Sequence, residues 1–308
     1  MDGLLIIDKP AGPTSHDVVA RARRLLRERR IGHTGTLDPF ATGVLPLVLG
    51  RATRLARFLS AGDKWYEATV RLGVVTDSYD TTGNPVGPVH GGPWPSLEAI
   101  DRALDEFRGQ FLQRPPAFSA KKIGGRRSYR LARAAASAGA DANPSRALPA
   151  MPAAVGVTAH AIDVVAVEQE RVTVRIRCSA GFYVRSLAHD LGERLGIGGH
   201  LVALRRTRSG DFDIGDAISL DAAERDADAA RSAVIPLARM LPGLAAVVLT
   251  EAGTRHVRHG RDLQPADLVD GLAIVHGSVR LLDQTGQLVG VAQPGTLPGT
   301  LHPSIVLM

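Results

Sequence analysis

Apolar and polar positions change period several times along the chain, and each change predicts an element. Residues 3–8 are a short apolar run closed by Pro10, Gly12 and Pro13, the pattern of a buried strand. Ser15 can cap a helix running to about Arg30, with Val18, Ala22, Leu25 and Leu26 on one face and Arg21, Arg24 and Arg27 on the other. A glycine-rich loop follows at 32–43, then a helix over 52–59. Residues 66–72 alternate Tyr66, Ala68, Val70 and Leu72 against Glu67, Thr69 and Arg71, the period of a half-buried strand. Residues 80–85 are turn chemistry. Ser96 caps a predicted helix to about Phe107. Gly124 and Gly125 read as a hairpin tip, with a helix over 128–137 after it. Beyond lie a strand at 172–178, a helix at 185–195, a strand at 201–206 and a helical stretch at 219–242. From Leu244 onward, apolar runs at 272–275, 279–282 and 288–292 are separated by Gly, Pro and Asp, which predicts a small β-rich domain.

Composition narrows the class. A chain of 308 residues exceeds what one core usually holds, which predicts two domains. Residues 138–152 are rich in Ala, Pro, Ser and Asn with little to bury, the mark of a mobile surface insertion. No apolar run reaches the ~18–20 residues of a membrane span, and the N-terminus lacks the basic start of a secretory signal. A single Cys178 forms no internal disulfide and no metal site alone, which fits a reducing cytoplasm. The net charge of +6 is uneven. Residues 1–135 hold 21 Lys and Arg against 13 Asp and Glu, a net +8, whereas residues 216–308 hold 7 against 10, a net −3. A polyanion would dock on the N-terminal part.

The densest chemistry is GHTGTLDPFATGVLPLVLG, residues 32–50. Asp38 precedes Pro39, which pushes it out of the helical region and can aim a carboxylate into a cleft. Asp-Pro is also an ordinary turn opener, and the pattern alone leaves both readings open. Other classes fail here. No Lys follows the glycines as a P-loop needs, and no dinucleotide fingerprint opens a helix after a strand. A G-x-S-x-G elbow is absent. His16 and His33 are too far apart to be a helical metal pair.

This motif resembles the central motif of the TruB family of bacterial tRNA pseudouridine-55 synthases. The resemblance extends through GLLIIDKPAGPTSHDVV, KWYEATVRLGVVTDSYDTTG, RPPAFSAKKIGGRRSYRLAR, CSAGFYVRSLAHDLGERLG and GHLVALRRTRSG, in the family's order over most of residues 3–210. It implies an α+β fold: a catalytic domain over 1–240 with a central, mostly antiparallel sheet flanked by helices, and a small PUA-like β domain over 241–308. It places the nucleophile on Asp38, the active-site tyrosine on Tyr66 and the carboxylate-pairing arginine on Arg185. Tyr183 and Leu204 fall on uracil-contacting positions, His33 on the histidine that seats the tRNA loop, and Lys9 and Lys64 on basic positions nearby. The 138–152 segment is longer than the family's simple link, and the acidic C-terminal part matches only in size and character.

The implied reaction breaks the ribose C1′–N1 bond, turns the uracil, joins C5 to C1′ and releases the C5 proton. No redox cofactor, nucleotide or metal is chemically required, and no protein partner; a cytoplasmic monomer acting on a tRNA T-stem-loop is expected. A carboxylate can attack as nucleophile or stand beside a cationic sugar. The target base must be flipped out of its loop. Arg21, Arg24, Arg51, Arg54, Lys121, Lys122, Arg126 and Arg127 are expected to hold the RNA backbone, with Arg255, Arg258 and Arg261 as candidate contacts in the C-terminal part. The competing expectations are a tRNA-binding module without turnover, and a pseudouridine synthase that is guide-dependent or acts on another RNA.

Overall fold

The computed structural model describes residues 1–119, 152–271 and 277–308, with the backbone of Lys122–Ile123 and Arg126–Arg127. The chain folds as two compact units, one made of residues 1–62 with 208–308, the other of residues 63–207. Among the described residues, no helix is long and apolar enough to cross a membrane. Both units mix helices with sheet, an α+β architecture.

In the first unit, the buried strand Gly3–Lys9 lies antiparallel to Thr42–Leu49, in register from Gly3 opposite Leu49 to Lys9 opposite Gly43. Ile31–His33 pairs with the end of Thr42–Leu49, and Ile218–Ser219 runs parallel to Ile7 and Asp8. The first helix is Ser15–Leu26, shorter than predicted. Its cap is Thr14, not Ser15: the Asp17 amide donates to the Thr14 hydroxyl at 3.1 Å, and the Thr14 amide donates to the Asp17 carboxylate at 2.8 Å. It stops because Arg27 turns left-handed, at φ 53°. Val18, Ala22 and Leu26 are buried as the periodicity predicts.

The helix predicted over 52–59 is a 3₁₀ segment, Gly50–Leu55, continued by Ala56–Ala61. The stretch predicted as helical over 219–242 is three pieces: Leu220–Arg225, Ala227–Ser232 and a 3₁₀ turn at Leu237–Arg239. Asp226 divides the first two, because its extended backbone lets its carboxylate cap Asp228 and Ala229.

The C-terminal residues form a four-stranded sheet: Ala246–Val248 parallel to Val279–Leu282, followed by antiparallel Leu288–Pro294 and Leu301–Val306. The 272–275 run lies outside the described residues. Helix Glu251–Arg258 buries its Val257 in a cluster with Leu249, Leu281 and Leu301. Val291, Ile305 and Leu307 join Leu4, Ile6, Val44 and Val48 in a second cluster, which makes the C-terminal sheet part of the same compact unit as the N-terminal strands.

In the second unit the strand order is Gly199–Ser209 (up to Thr207), Lys64–Leu72, Arg171–Cys178, Val155–Glu168 and Gly109–Gln113. The strands predicted at 66–72, 172–178 and 201–206 are the cores of three of these. The other two escape the pattern. Val155–Glu168 carries two register shifts that break its alternation, and Gly109–Gln113 is an edge strand with Leu112 76% exposed. Ser96 caps Leu97–Leu104 as expected, with its hydroxyl accepting from the Ala99 amide. Helix Val184–Arg194 presses onto the chain at Gly192, where a Cβ would stand 2.1 Å from the Gly199 nitrogen. Lys122–Ile123 and Arg126–Arg127 pair antiparallel; the tip at Gly124 and Gly125, the predicted 128–137 helix and most of the 138–152 segment lie outside the described residues.

Candidate active site

Asp38 lies half-buried in the first unit, on the loop between Ile31–His33 and Thr42–Leu49. The loop is held chiefly through its backbone. Ser15, buried in the first helical turn, donates its hydroxyl to the Leu37 carbonyl at 3.0 Å and accepts from the Leu37 amide at 2.9 Å. The Gly12 amide donates to the Pro39 carbonyl at 2.8 Å, and the Ala41 amide to the Asp38 carbonyl at 3.1 Å. Lys9, wholly buried, donates its ammonium to the carbonyls of Pro10 at 2.7 Å and Pro39 at 3.2 Å. Asp38 is therefore bracketed on both sides by fixed neighbours, Leu37 and Pro39. His33 ends the preceding strand. Its ring meets that of exposed His16 edge-on at 5.2 Å, and its Nδ1 accepts from the Gly35 amide at 3.4 Å.

The second unit carries Tyr66, Arg185, Tyr183, Leu204 and Lys64. Tyr66 is half-buried on Lys64–Leu72 opposite Ile176, on the same face as buried Ala68, Val70 and Leu72. Tyr183 stands at the N-cap of Val184–Arg194. The Gln113 side-chain amide grips its backbone from both sides, accepting from the Tyr183 nitrogen at 2.7 Å and donating to its carbonyl at 3.0 Å. Leu204 is buried on Gly199–Ser209. Arg185 is nearly inaccessible. It pairs with the Asp80 carboxylate at 3.3 Å and donates to the carbonyls of Ser78 at 3.3 Å and Phe118 at 2.9 Å. Asp80 is fixed in turn by the Ser78 hydroxyl at 2.8 Å and the Thr82 amide at 2.9 Å. The guanidinium is thus held by an ion pair and two carbonyls.

Two buried groups have shifted acidity. Burial, reinforced by the Arg206 charge, lowers the Lys64 ammonium to about 8. Burial pushes the Cys178 thiol up to about 12, which makes it a poor nucleophile at neutral pH.

The expected RNA-backbone residues divide. Arg24 is exposed on the first helix. Arg21 meets Glu224 at 3.4 Å. Arg51 binds Asp2 at 2.8 Å and the Leu307 carbonyl at 2.6 Å, and Arg54 donates to the Val306 carbonyl at 2.5 Å, so both clasp the C-terminal strand. Lys121 lies outside the described residues, as do the side chains of Lys122, Arg126 and Arg127. Arg255, Arg258 and Arg261 are exposed.

Sequence reading missed Asp80, Gln113 and the loop-pinning role of Ser15. Asp80, in TDSYDTTG, serves its turn through the Thr82 amide, which hides its pairing with Arg185 from the sequence, and Ser15 sits where a cap is expected.

Residues 23–184 match the TruB family pseudouridylate synthase N-terminal domain, and residues 185–242 match the tRNA pseudouridylate synthase B C-terminal domain. The chain is 42% identical to the tRNA pseudouridine synthase B of Solibacter usitatus over the full length of both, and 42% identical to that of Mycobacterium tuberculosis over 98% of each. Among solved structures, a chain of an H/ACA RNP bound to a substrate RNA containing 2′-deoxyuridine aligns with a TM-score of 0.72 and 26% identity, over 99% of this chain and 85% of that one. These matches are those of a pseudouridine synthase, an isomerase. The chain belongs to the TruB family of these enzymes.

Proposed function

We propose that this tRNA pseudouridine synthase isomerises the uridine at position 55 in the T-loop of tRNA, with Asp38 as its nucleophile. The observation that carries the reading is the family match through residues 23–242, a span that contains Asp38, Tyr66 and Arg185. The flipped uridine meets the Asp38 carboxylate, and Arg185, which the resemblance assigns to the same chemistry, supplies a fixed positive charge. Once the C1′–N1 bond breaks, the uracil turns against the rings of Tyr66 and Tyr183 and the side chain of Leu204. C5 then bonds to C1′, N1 takes up a proton, and the C5 proton leaves to Tyr66 or a water it positions. His33 stacks on bases of the opened loop. Lys64 supports the uridine pocket, while Lys9 holds the loop that carries the nucleophile.

Arg24 leads the RNA footprint on the first helix, with Arg21, Lys121, Lys122, Arg126 and Arg127 extending it. The C-terminal sheet with its helix serves as a PUA-like element that touches RNA through Arg255, Arg258 and Arg261. The chain works in the cytoplasm as a monomer, without cofactor or guide. The purified chain alone should release tritium from 5-labelled uridine in a bare T-stem-loop, in the presence of chelator, and a transcript with cytidine at position 55 should release none. Dependence on an added guide RNA or protein, or undiminished release from the cytidine transcript, would overturn the reading.

A further inference from the structure

We infer that Tyr79 and His189 form a stacked positioning pair that holds the Asp80–Arg185 ion pair in its working geometry. The inference rests on the reading of Arg185 as the arginine that serves the catalytic carboxylate.

The two rings lie 3.8 Å apart and within 6° of parallel. Tyr79 immediately precedes Asp80, and His189 follows Arg185 by four residues on helix Val184–Arg194, one turn along the same face. The turn that carries Asp80 and the helix that carries Arg185 therefore meet at two adjacent rungs, one ionic and one aromatic. The backbone of the turn is also fastened. The Leu201 amide donates to the Tyr79 carbonyl at 3.0 Å, and the Thr81 amide to the Leu201 carbonyl at 2.9 Å.

Two features set this stack apart from ordinary packing. Tyr79 sits at φ 63°, a left-handed conformation that glycine adopts freely and a tyrosine does not. A large ring kept at a strained backbone position has its use in what the ring touches. His189 buries its Nδ1 with no hydrogen-bond partner among the described residues, so the observed role of the imidazole there is the stacked face rather than a hydrogen bond from Nδ1. Burial lowers the pKa of His189 and raises that of Tyr79, where Asp190 and Glu193 push further, so both rings are uncharged at neutral pH. Asp190, Glu193 and Arg114 are the charged groups around the pair.

Steady-state turnover of a tRNA transcript tests the inference. Tyr79→Gly removes the ring and relieves the backbone, so the variant should melt no lower than the parent. It and His189→Ala should lower kcat about three- to tenfold, the worth of one aromatic pair, with KM within about twofold. His189→Phe, which keeps a flat ring, should recover kcat to within about twofold. In an Asp80→Asn background, His189→Ala should add less than about a twofold loss, because the ion pair it positions is already gone. Full kcat in both Tyr79→Gly and His189→Ala, or losses that multiply in the double variant, would overturn the positioning role. Arg185→Lys separates the two claims. If it turns over normally, the reading of Arg185 fails and takes this inference with it; if it is dead while Tyr79→Gly is normal, only the stacked pair is refuted.

Discussion

The Asp38 loop and the Arg185 helix are anchored by different kinds of contact. The loop is fixed through main-chain groups: Leu37 on the Ser15 hydroxyl, Pro39 on the Gly12 amide and the Lys9 ammonium. The arginine is fixed largely through side chains and charge, with Asp80 opposite it and Tyr79 on His189 one turn along. Main-chain anchoring survives most substitutions, because every residue offers the same amide and carbonyl. Side-chain anchoring depends on the identity and ionisation of each partner, so the loop is vulnerable at Ser15 and Lys9, which grip it, and the second region at the buried charge pair itself.

The largest effect should come from Asp80→Asn. It removes the Asp80 charge from a buried ion pair, a loss that commonly costs about 3–5 kcal/mol, and kcat should fall at least ~100-fold. Turnover within threefold of the parent would place the working anchor of Arg185 elsewhere. In the loop, Ser15→Ala removes both hydrogen bonds to Leu37 and strands a buried amide, at about 1–3 kcal/mol. A roughly tenfold lower kcat with unchanged tRNA affinity is expected; a full rate would show that the remaining main-chain contacts suffice.

Asp190 sharpens the contrast through pH. Burial, with Glu193 adding to it, raises its carboxyl to about 6. Between pH 4 and 6 the folded chain therefore binds more protons at this group than the unfolded chain does, and stability falls as pH rises through that window. Asp190→Asn should melt roughly 2–3 °C above the parent at pH 7, and the gain should vanish near pH 4. A gain that is constant with pH would not come from this ionisation. The smallest effect belongs to neither anchor. Arg24→Ala should weaken binding of all tRNAs a few-fold and flatten the salt dependence by about one unit of log–log slope, and an unaltered slope would remove the first helix from the footprint.

What could be read along the chain follows the same division. Strands whose alternation is unbroken, such as Lys64–Leu72 and Arg171–Cys178, are visible as patterns, and so is the loop with Asp38, because its glycines and prolines act on their neighbours. Val155–Glu168 is hidden by its bulges. Ser15 and Asp80 hide their roles for a common reason: each has a plausible local task, and for Asp80 the turn is real, but a second partner lies 22 residues away in one case and over a hundred in the other. Nothing within a short window of sequence distinguishes a turn aspartate from one facing a buried guanidinium. The helix over 219–242 failed because Asp226, an acceptable helix residue by composition, is used as a cap in the middle.

The central claim is that the Asp38 carboxylate carries the chemistry. It is tested most directly by tritium release from 5-labelled uridine with Asp38→Asn, alongside its binding of the same tRNA. The variant should bind within about twofold of the parent and release no tritium over many parental turnovers. Release at a rate comparable to the parent would contradict the assignment.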